Sequence, residues 1–492
     1  MHDIVFNRVA PVPTTRFGAA ALGSAVIGAL ALAWAWFSYG YVEDDAFIHL
    51  EFARGVADGL GFAFAGSVTN GDTSPLWVLV LVLIHAFGIA WIPAAKIACA
   101  AGLALAASGA WRLARDLPRE TSTHKLLPLV AVAVTVLSPY FVHWSFSGME
   151  ATAALGLSLW AVWAVFLDSL TTRRAVLAAC LLALGPLLRP ELSVFAALVA
   201  PVLLWRSWQA QAGKSVAHRL VYCACLGILM LIPLCAWSWY AVHAFGSVIP
   251  NTNTAKRGGA VGAIAARLVQ VYAMGFPVTL LLLPFVLVRG MWRRRTPAAV
   301  WVLLLWPAAC ALFYVVDHTL VQTRYCLLSM ASASIAVLWL LARSLHPSRF
   351  AAASTAMLVV SLLTVAAIVV PHVHNKVLLR ERFSAVSAFI RENISAREPV
   401  AVLAIGQIEF ESRHPLIDLG GITEPAVDPY LNDRLAVLRW AKAQGANYFV
   451  GNDSPEPGAT MVFSVQVPYI GWTLSHARYQ ASEPYSVYRL PP

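Results

Sequence analysis

The sequence predicts a polytopic α-helical membrane protein of about eleven spans, with surface helices on its outer face and a small C-terminal α/β domain. Three observations predict this class. Of the 492 residues, 59% are hydrophobic and only 12% are charged, whereas a soluble domain carries about a quarter charged residues. The apolar residues form runs of roughly 20, the length that crosses about 30 Å of hydrocarbon. Most basic residues fall in the short segments between these runs.

The net charge and the cysteines test two other interpretations, a nucleic-acid-binding protein and a metal-binding protein. A net charge of +10 would suit a nucleic-acid-binding protein, but the Lys and Arg residues follow the positive-inside pattern of membrane loops. We therefore predict a membrane partner and no nucleic acid. The seven cysteines lie inside or beside apolar segments without metal-ligand spacing, so we expect buried thiols. We predict no cofactor and assign no metal ligands; a divalent metal is not required by the sequence, which leaves metal dependence open.

Eleven apolar segments are predicted to cross the membrane. They are 17–38, 93–113, 126–142, 150–168, 175–189, 191–206, 219–243, 265–289, 297–316, 325–343 and 350–371. A further stretch, 75–90, is short for a span. If it crossed, the first basic cluster would lie on the opposite side from the later ones. We therefore expect 75–90 to form a helix along the outer leaflet. The first apolar run has no cleavage signature after it, which predicts a retained anchor.

The basic residues set the orientation. The predicted cytoplasmic segments carry Arg8 and Arg16; Arg112, Arg115, Arg119 and Lys125; Arg173 and Arg174; Arg206, Lys214 and Arg219; Arg289, Arg293, Arg294 and Arg295; and Arg343 and Arg349. This pattern predicts an inner-membrane protein with a cytoplasmic N-terminus. It divides the chain into a membrane domain, 1–371, with a first outer loop at 39–92, and a periplasmic domain, 372–492.

The predicted periplasmic domain has a different character from the rest of the chain. It carries charged residues at ordinary density and contains no apolar run long enough to span. Residues 400–406 and 448–451 are apolar runs typical of buried strands. Residues 431–445 have helical apolar spacing and end on a glycine. We therefore expect a small α/β domain that caps the membrane domain.

Ionisable side chains gather at five corners of the predicted outer face. Such groups are costly at membrane depth, which makes them functional candidates. The candidates are Glu43, Asp44, Asp45 and His49 in the first loop; Glu150 at a span start; Arg189 and Glu191 around a proline; Asn251 and Lys256 in the fourth loop; and His318, Arg324 and Tyr325 in the fifth. The set combines acids that suit base catalysis with cations that suit a phosphate.

Each of these groups also has an ordinary structural interpretation, and the residues alone leave both open. The acids of the first two corners could simply begin helices. Arg189 and Glu191 could form a local ion pair. Lys256 and Arg324 could contact lipid headgroups. What favours a common site is that all five corners carry such residues on the same predicted face.

An ordered set of short motifs runs along nearly the whole chain. The motifs are Glu43-Asp-Asp-Ala-Phe-Ile-His-Leu, Gly59-Leu-Gly-Phe, Thr73-Ser-Pro-Leu-Trp, Ser147-Gly-Met-Glu150, Leu188-Arg-Pro-Glu191, Gly246-Ser-Val-Ile-Pro-Asn-Thr, Ala255-Lys256, Arg324-Tyr325 and Asp418-Leu-Gly-Gly-Ile-Thr. In this order they resemble the polyprenyl-phosphate-sugar-dependent membrane glycosyltransferases of the GT-C type. Within that group the chain looks most similar to the mycobacterial terminal arabinofuranosyltransferase-like proteins.

The resemblance implies an inverting transferase that uses no nucleotide sugar. A sugar, such as the pentose arabinofuranose, would move from a polyprenyl-phosphate carrier to an envelope glycan, lipid or protein on the periplasmic face. The resemblance also implies that Asp44 is the base and that Asp45 supports it. One turn departs from the pattern, because Asn70-Gly-Asp72 stands where relatives often carry Glu-Gly. The identity of the sugar therefore stays open.

The remaining candidates receive roles from charge. We expect Lys256, Arg324 and Arg189 to hold the carrier phosphate and to stabilise its charge as it leaves. We expect Glu150 and Glu191 to orient the sugar or the acceptor. Two rival classes are a secondary transporter and a non-catalytic membrane subunit of an envelope polysaccharide assembly or export system. A transporter should show internal repeats, and the sequence has none that we detect.

Overall fold

The computed structural model describes residues 15–117, 125–167, 169–291, 296–319, 321–467 and 483–491. Several of the arginines that set the predicted orientation, Arg8, Arg119 and Arg293 to Arg295, lie outside the described residues. The described part is mainly helical, and a five-stranded sheet follows near the C-terminus. The predicted class, a helical membrane domain followed by a small α/β domain, is confirmed.

The membrane domain is built from helices. They are α1 (Thr15–Phe37), α2 (Asp44–Ala57), α3 (Pro75–His85), α4 (Trp91–Asp116), α5 (Leu127–Val136), α6 (Pro139–Trp144), α7 (Ala151–Phe166), α8 (Thr172–Leu188), α9 (Glu191–Ala210), α10 (Val216–Phe245), α11 (Asn251–Ala255), α12 (Val261–Gly275), α13 (Pro277–Met291), α14 (Ala298–Val316), α15 (Thr323–Ser344) and α16 (Pro347–Thr364). A short hairpin, β1 (Ala63–Phe64) and β2 (Ser67–Val68), lies between α2 and α3.

Most of these helices coincide with predicted spans. Within the described ranges, six helices are long and apolar enough to cross a bilayer, and the bent pair α12–α13 could add a seventh. Other apolar helices, including α5 and α7, are shorter. Helix α3 has 11 residues, which is about 16 Å of helix and too short to cross. This length agrees with the surface helix predicted there, and the count of eleven spans stays a prediction.

Two predicted spans are interrupted by proline. Segment 265–289 was predicted to be one span, but α12 and α13 meet at an angle of 100°. Phe276 between them is non-helical, with φ −141° and ψ 50°, because the ring of Pro277 disfavours the α conformation in the residue before it. Segment 126–142 breaks in the same way ahead of Pro139. Both corrections follow from local proline sterics that the hydropathy pattern does not register.

Helix α15 is the central helix of the membrane domain. Of its most apolar 18-residue window, 94% is buried, and it packs against α5, α7, α13 and α14. Its small residues, Ser329 and Ala331 to Ser334, are all buried and let neighbouring helices approach closely. The N-terminus of this rigid helix carries Arg324 and Tyr325. These two side chains thus stand at the end of a deeply buried helix of the membrane domain.

The C-terminal domain is a mixed sheet with helices. Its elements are α17 (Val370–Asn393), β3 (Val400–Val402), α18 (Ile405–Ser412), β4 (Leu416–Asp418), α19 (Arg434–Ala443), β5 (Tyr448–Gly451), β6 (Thr460–Val467) and β7 (Glu483–Arg489). The strand order is β4-β3-β5-β7-β6, with β3 parallel to β4 and β5 and the other pairs antiparallel. The predicted strands and helix are present, but the first strand ends at Val402, because residues 405 and 406 already belong to α18.

The two domains are joined by one long helix. Helix α16 passes through a π-helical turn, Val365–Val369, into α17, so a helix of 47 residues runs from Pro347 to Asn393. The boundary predicted between residues 371 and 372 falls inside this helix, and the division into domains stays a prediction. The C-terminal domain also packs on the first loop, since α18 contacts α2 along its length. Both connections bring the domain to the corners that the sequence predicts to be outside.

Candidate active site

The five predicted corners meet at one cavity. Its volume is about 150 Å³, and its wall contains candidates from every corner: Asp45, His49, Glu150, Arg189, Glu191, Lys256, Arg324 and Tyr325. Much of the remaining wall is apolar or aromatic, for example Ile48, Met149 and Phe313. Residues far apart in sequence therefore form a single pocket that is both ionic and apolar, as expected for the head of an amphipathic ligand.

The first loop presents its three acids in different directions. All three stand at the start of α2, where the helix dipole favours negative charge. Glu43 accepts hydrogen bonds from Tyr41 at 2.8 Å and from Lys376 of α17 at 2.6 Å. Asp44 instead points at the C-terminal domain. Among the described residues, Glu43 and Asp44 do not line the cavity, whereas Asp45 does.

Asp44 is held by the start of helix α18. The amide groups of Gly406 and Gln407 donate to its two carboxylate oxygens at 3.3 and 2.8 Å. Gly406 is needed there, because a Cβ at this position would overlap the backbone oxygen of Asp44. Burial, with the nearby charges of Asp45 and Glu43, raises the pKa of Asp44 to about 6, although the two amides act in the opposite direction. Asp44 thus ties the first loop to the C-terminal domain.

Asp45 is paired with the cations of the cavity. Its Oδ2 lies 2.5 Å from Nη2 of Arg324 and 4.0 Å from Nζ of Lys256. Burial would raise the pKa of Asp45, but Arg324 and Lys256 outweigh it and hold this pKa well below its usual value. The side chain of Asp45 is 31% exposed and that of Arg324 only 5%. A cation at a helix N-terminus has the unfavourable sign for the helix dipole, and Asp45 compensates for it.

A second ion network surrounds His49. Nδ1 of His49 lies 2.5 Å from Asp72, and Nε2 lies 3.3 Å from Glu150 without hydrogen-bond geometry. Burial alone would lower the pKa of His49, but Asp72 and Glu150 raise it to about 10. His49 is therefore an imidazolium at neutral pH. It fixes the loop that carries Asp72 against the start of α7.

Arg189 is already occupied by two carboxylates. Its Nε and Nη2 donate to the two oxygens of Glu191 at 3.0 and 2.8 Å, and its Nη1 pairs with Glu150. Its guanidinium also lies 5.4 Å from the ring centre of Tyr325. This geometry supports the structural ion pair that the sequence left open. Lys256 and Arg324 are then the cations best placed for an added anion.

Besides Glu43 and Asp44, two more candidates lie away from the wall of the first cavity in the described residues. Asn251 begins α11 and donates to Oγ1 of Thr69 at 3.2 Å, so it joins the fourth loop to the first. His318 is exposed, has a positive φ of 55°, and lies 3.2 Å from the carbonyl oxygen of Gly259. Neither lines the pocket. Their contacts are those of loop residues rather than of a binding surface.

A second cavity of about 220 Å³ adjoins the first. Its wall contains Glu43, Asp45, His143, Trp144, Arg267, Gln322, Thr323, Arg324, His372 and Lys376. Asp45 and Arg324 belong to both walls. Nδ1 of His143 is buried without a hydrogen-bond partner, and the His143 side chain is 2% exposed. The Asp45–Arg324 pair therefore stands between two pockets.

Sequence reasoning missed several residues of the two walls. In the sequence, Asp72 stood out only as a departure from a motif. In the structure it pairs with His49 and accepts a hydrogen bond from the backbone amide of Ser74 at 2.5 Å. Tyr314 lies inside the predicted span 297–316 and Trp144 just after the span 126–142, and nothing in the sequence distinguishes them from lipid-facing aromatics. Lys376 follows the last predicted span and pairs with Glu43. Within the described ranges, no three His, Cys, Asp or Glu side chains are grouped to hold a metal ion.

The C-terminal motif reaches the first cavity. The Asp418 carboxylate accepts from the amides of Gly420 and Thr423, both at 2.7 Å, and shapes the turn between them. Ile422 of this turn lines the cavity. Oγ1 of Thr69 donates to the carbonyl of Thr423 at 3.0 Å. The C-terminal domain thus contributes a wall of the pocket as well as the amides that hold the first loop.

Comparison with solved structures identifies the fold. ArnT from Cupriavidus metallidurans bound to undecaprenyl phosphate superposes with a TM-score of 0.60 and 13% identity, over 95% of this chain and 98% of ArnT. The apo state of the same protein gives a TM-score of 0.58. The chain has a GT-C fold. The GT-C architecture that the motifs implied is thereby confirmed.

A second solved structure and one family model are also similar to this chain. The GT-C fold is shared with the mycobacterial arabinofuranosyltransferase AftD, at a TM-score of 0.51 and 16% identity, over 97% of this chain but 42% of AftD. A family model described as a domain of unknown function (DUF8728) matches residues 373–488. A search of curated proteins finds no match. The match covers most of the C-terminal domain of this GT-C protein.

Proposed function

We propose that this protein is an inverting glycosyltransferase that moves a sugar from a polyprenyl-phosphate carrier to an acceptor hydroxyl. One observation carries the proposal. A carboxylate, Asp45, is held beside two cations, Arg324 and Lys256, where two cavities meet. Such transfer needs a base for the acceptor hydroxyl and positive charge for the leaving phosphate. The GT-C fold supports the proposal, since ArnT with this fold binds undecaprenyl phosphate.

The first cavity suits the donor. Lys256 and Arg324 would hold the phosphate, because Arg189 is already engaged by Glu150 and Glu191. The apolar part of the wall would face the first isoprene units of the carrier. A point-charge ammonium and a forked guanidinium can grip one phosphate from two sides. The donor head would then lie directly beside Asp45.

Asp45 is the better candidate for the base. The motif resemblance assigns that role to Asp44, but the Asp44 carboxylate is bound by the amides of Gly406 and Gln407 and lies off both cavity walls. In the proposed step the acceptor oxygen forms a bond to the anomeric carbon. The bond from that carbon to the phosphate oxygen breaks, the phosphate keeps the electron pair, and the hydroxyl proton passes to Asp45. Asp44 acts as a positioning residue.

The acidic groups around His49 would orient the sugar. Glu150 and Glu191 line the donor cavity and could accept hydrogen bonds from sugar hydroxyls. The departure at Asn70-Gly-Asp72 has a structural correlate, because the Asn70 amide donates to the carbonyls of Ser247 and Ile249, at 2.9 and 3.2 Å, and Asp72 pairs with His49. The proposed sugar is a pentose such as arabinofuranose, in line with the motif resemblance.

The acceptor would approach through the second cavity. This pocket places an indole, Trp144, and polar groups such as Gln322 and Thr323 within reach of Asp45, a combination that suits a hydroxyl-bearing ligand. We propose an envelope glycan, lipid or protein as the acceptor. The proposed setting is the periplasmic face of the inner membrane, with the N-terminus in the cytoplasm. A base and a phosphate site in contact argue against a transporter or a non-catalytic subunit.

Mass spectrometry of the lipids that co-purify with the protein tests the donor assignment. Wild-type protein is expected to carry a polyprenyl phosphate or its sugar ester, and Lys256→Ala protein to carry much less. Lys442→Ala is the matched control, because Lys442 lies on α19 and pairs with Glu456 away from both cavities. Equal amounts of polyprenyl lipid in Lys256→Ala and wild-type protein, or none in either, would count against the proposal.

A further inference from the structure

We propose that the carrier phosphate and Asp45 compete for the same two cations, so that Asp45 becomes an effective base only after the donor has bound. This inference rests on the proposed function and extends it to the order of events. In the ligand-free structure Arg324 and Lys256 face Asp45. To bind, the phosphate would have to form ion pairs with Arg324 and Lys256 and so weaken their ion pairs with Asp45. The donor would thereby release the carboxylate that deprotonates the acceptor.

Arg324 has the geometry of a cation that can change partners. One of its donors, Nη2, is used by Asp45, while Nε is buried without a hydrogen-bond partner. The residue is 4% exposed and lies in the wall of both cavities. The buried helix α15 holds the backbone of Arg324, while its guanidinium faces both cavities and can contact a ligand in either. An unpaired buried donor is costly, and a phosphate oxygen would satisfy it.

Lys256 completes the pair from the other side. Its Nζ lies 4.0 Å from Asp45, which is the limit of an ion pair, and its side chain is 27% exposed. A flexible ammonium at that distance can turn towards a new anion at little cost in lost interaction with Asp45. Arg324 and Lys256 stand on α15 and just after α11, so they approach the carboxylate from separate elements.

Among the described residues around Asp45, Arg324 and Lys256 have no carboxylate partner other than Asp45. The charged groups that face Asp45 are Glu43, Asp44, His49, Lys256, Arg324 and Lys376. Lys376 is matched by Glu43, and His49 lies between Asp72 and Glu150. Asp44 keeps its charge but is turned towards the backbone amides of α18. Two cations, Arg324 and Lys256, thus share one carboxylate, Asp45, as their ion-pair partner.

The reaction then keeps this local charge in balance. The donor phosphate is a diester with a charge of about −1, and the leaving monoester carries about −1.5 to −2. The negative charge that appears on the phosphate is accompanied by one proton, which leaves the acceptor hydroxyl and binds Asp45. Arg324, which exchanges Asp45 for the phosphate when the donor binds, then stabilises the charge that appears on the leaving phosphate. The cluster thus exchanges one anion for another without gaining net charge.

Titration with undecaprenyl phosphate tests the competition without any sugar. The protein is placed in lipid nanodiscs, and the affinity is measured for wild type, Asp45→Asn and Lys256→Gln. Removing the competing carboxylate should tighten binding about tenfold, equivalent to about 1.4 kcal/mol. Removing a contested cation should weaken binding about tenfold or more. Asp453→Asn is the control, because Asp453 is an exposed acid of the C-terminal domain that lines neither cavity, and a change of less than about twofold is expected.

The outcomes separate this inference from the proposed function. If Asp45→Asn binds no more tightly than wild type, while wild type binds, the competition is wrong and the donor assignment stands. If Lys256→Gln binds as wild type does, the competition is also wrong, and this result does not depend on how well the Asp45 variant folds. If wild type itself does not bind undecaprenyl phosphate, the proposed donor fails. Tighter binding by Asp45→Asn with weaker binding by Lys256→Gln supports the exchange.

Discussion

Neighbouring acids at the start of α2 have opposite surroundings. Asp44 accepts two backbone amides, and burial raises its pKa to about 6. Asp45 faces Arg324 and Lys256, which outweigh burial and hold its pKa well below the usual value. One step along a helix turns a side chain by about 100°, since 3.6 residues complete a turn. Adjacent carboxylates can therefore serve a structural contact and a reaction centre.

His49 provides a pH-dependent prediction at the same scale. Because Asp72 and Glu150 raise its pKa to about 10, its stabilising charge is fully present below an unfolded-state pKa near 6.5. That stabilisation is lost as the pH rises from there through about 10. We expect the Tm of the wild-type protein to fall over this range. His49→Gln should lower the Tm at pH 6 and flatten the decline.

The control for His49 is a compensating change. His49→Gln leaves Asp72 buried without its cation, whereas Glu150 keeps Arg189, and the expected cost is about 3–5 kcal/mol. Adding Asp72→Asn removes this unpaired charge and should restore part of the Tm. Thermal unfolding of the single and double variants at pH 6 measures both effects. A double variant that is less stable than His49→Gln alone would show that the network is held by something other than charge.

Local sequence patterns predicted the positions of these residues but not their partners. Acids and arginines at span ends are visible in the sequence because they interrupt apolar runs. Which of Asp44 and Asp45 faces the cavity depends on where α18 packs, and that contact joins residues more than 350 positions apart. The sequence did not identify Lys376 and Trp144 as site residues for the same reason. Each lines the second cavity only because elements distant in sequence pack together.

At the scale of elements, α18 links the C-terminal domain to the first loop. Its first turn supplies the amides that hold Asp44, and Phe410 accepts a hydrogen bond from Arg54 of α2 at 3.1 Å. The Arg54 guanidinium also lies 4.0 Å above the Phe410 ring. The domain is therefore a structural part of the site, which explains why its motif around Asp418 also reaches the cavity.

Gly406→Ala should disrupt this link. The added Cβ would overlap the backbone oxygen of Asp44, so α18 must shift and the Asp44 hydrogen bonds must lengthen. We expect transfer activity to fall at least tenfold and the Tm to fall by several degrees. Gly262→Ala is the matched control, because no atom lies within 4 Å of a Cβ built at Gly262 of α12. Equal activity of the two variants would contradict the positioning role of α18.

Proline accounts for where the span predictions differed from the structure. Hydropathy detected the apolar content of 265–289 and 126–142, but the helices break at Phe276 and ahead of Pro139. At the first break the chain turns by 100° between α12 and α13. Arg267 of α12 lines the second cavity. A window average carries no information on backbone direction. The elements could thus be predicted from the sequence, but the angle between them could not.

At the scale of the whole molecule, the predicted orientation places all five corners outside. The corners converge on one cavity, as they must if they share a face of the membrane. Cysteine labelling of intact cells determines on which side of the membrane a residue lies. Ala396→Cys in the exposed segment after α17 should react with an impermeant thiol reagent, and Ala212→Cys between α9 and α10 should react only after lysis. Labelling in the reverse order would overturn the orientation.

Transfer by the purified protein tests the central claim most directly. The donor is a radiolabelled polyprenyl-phosphate pentose, and the acceptor is supplied by membranes of a strain that lacks the gene. Wild type and Glu392→Gln should transfer label at equal rates, because Glu392 is an exposed acid of α17. Asp45→Asn should lose about 10²–10⁴-fold, as expected when a general base is removed. Transfer by Asp45→Asn above about a tenth of the wild-type rate would contradict the account.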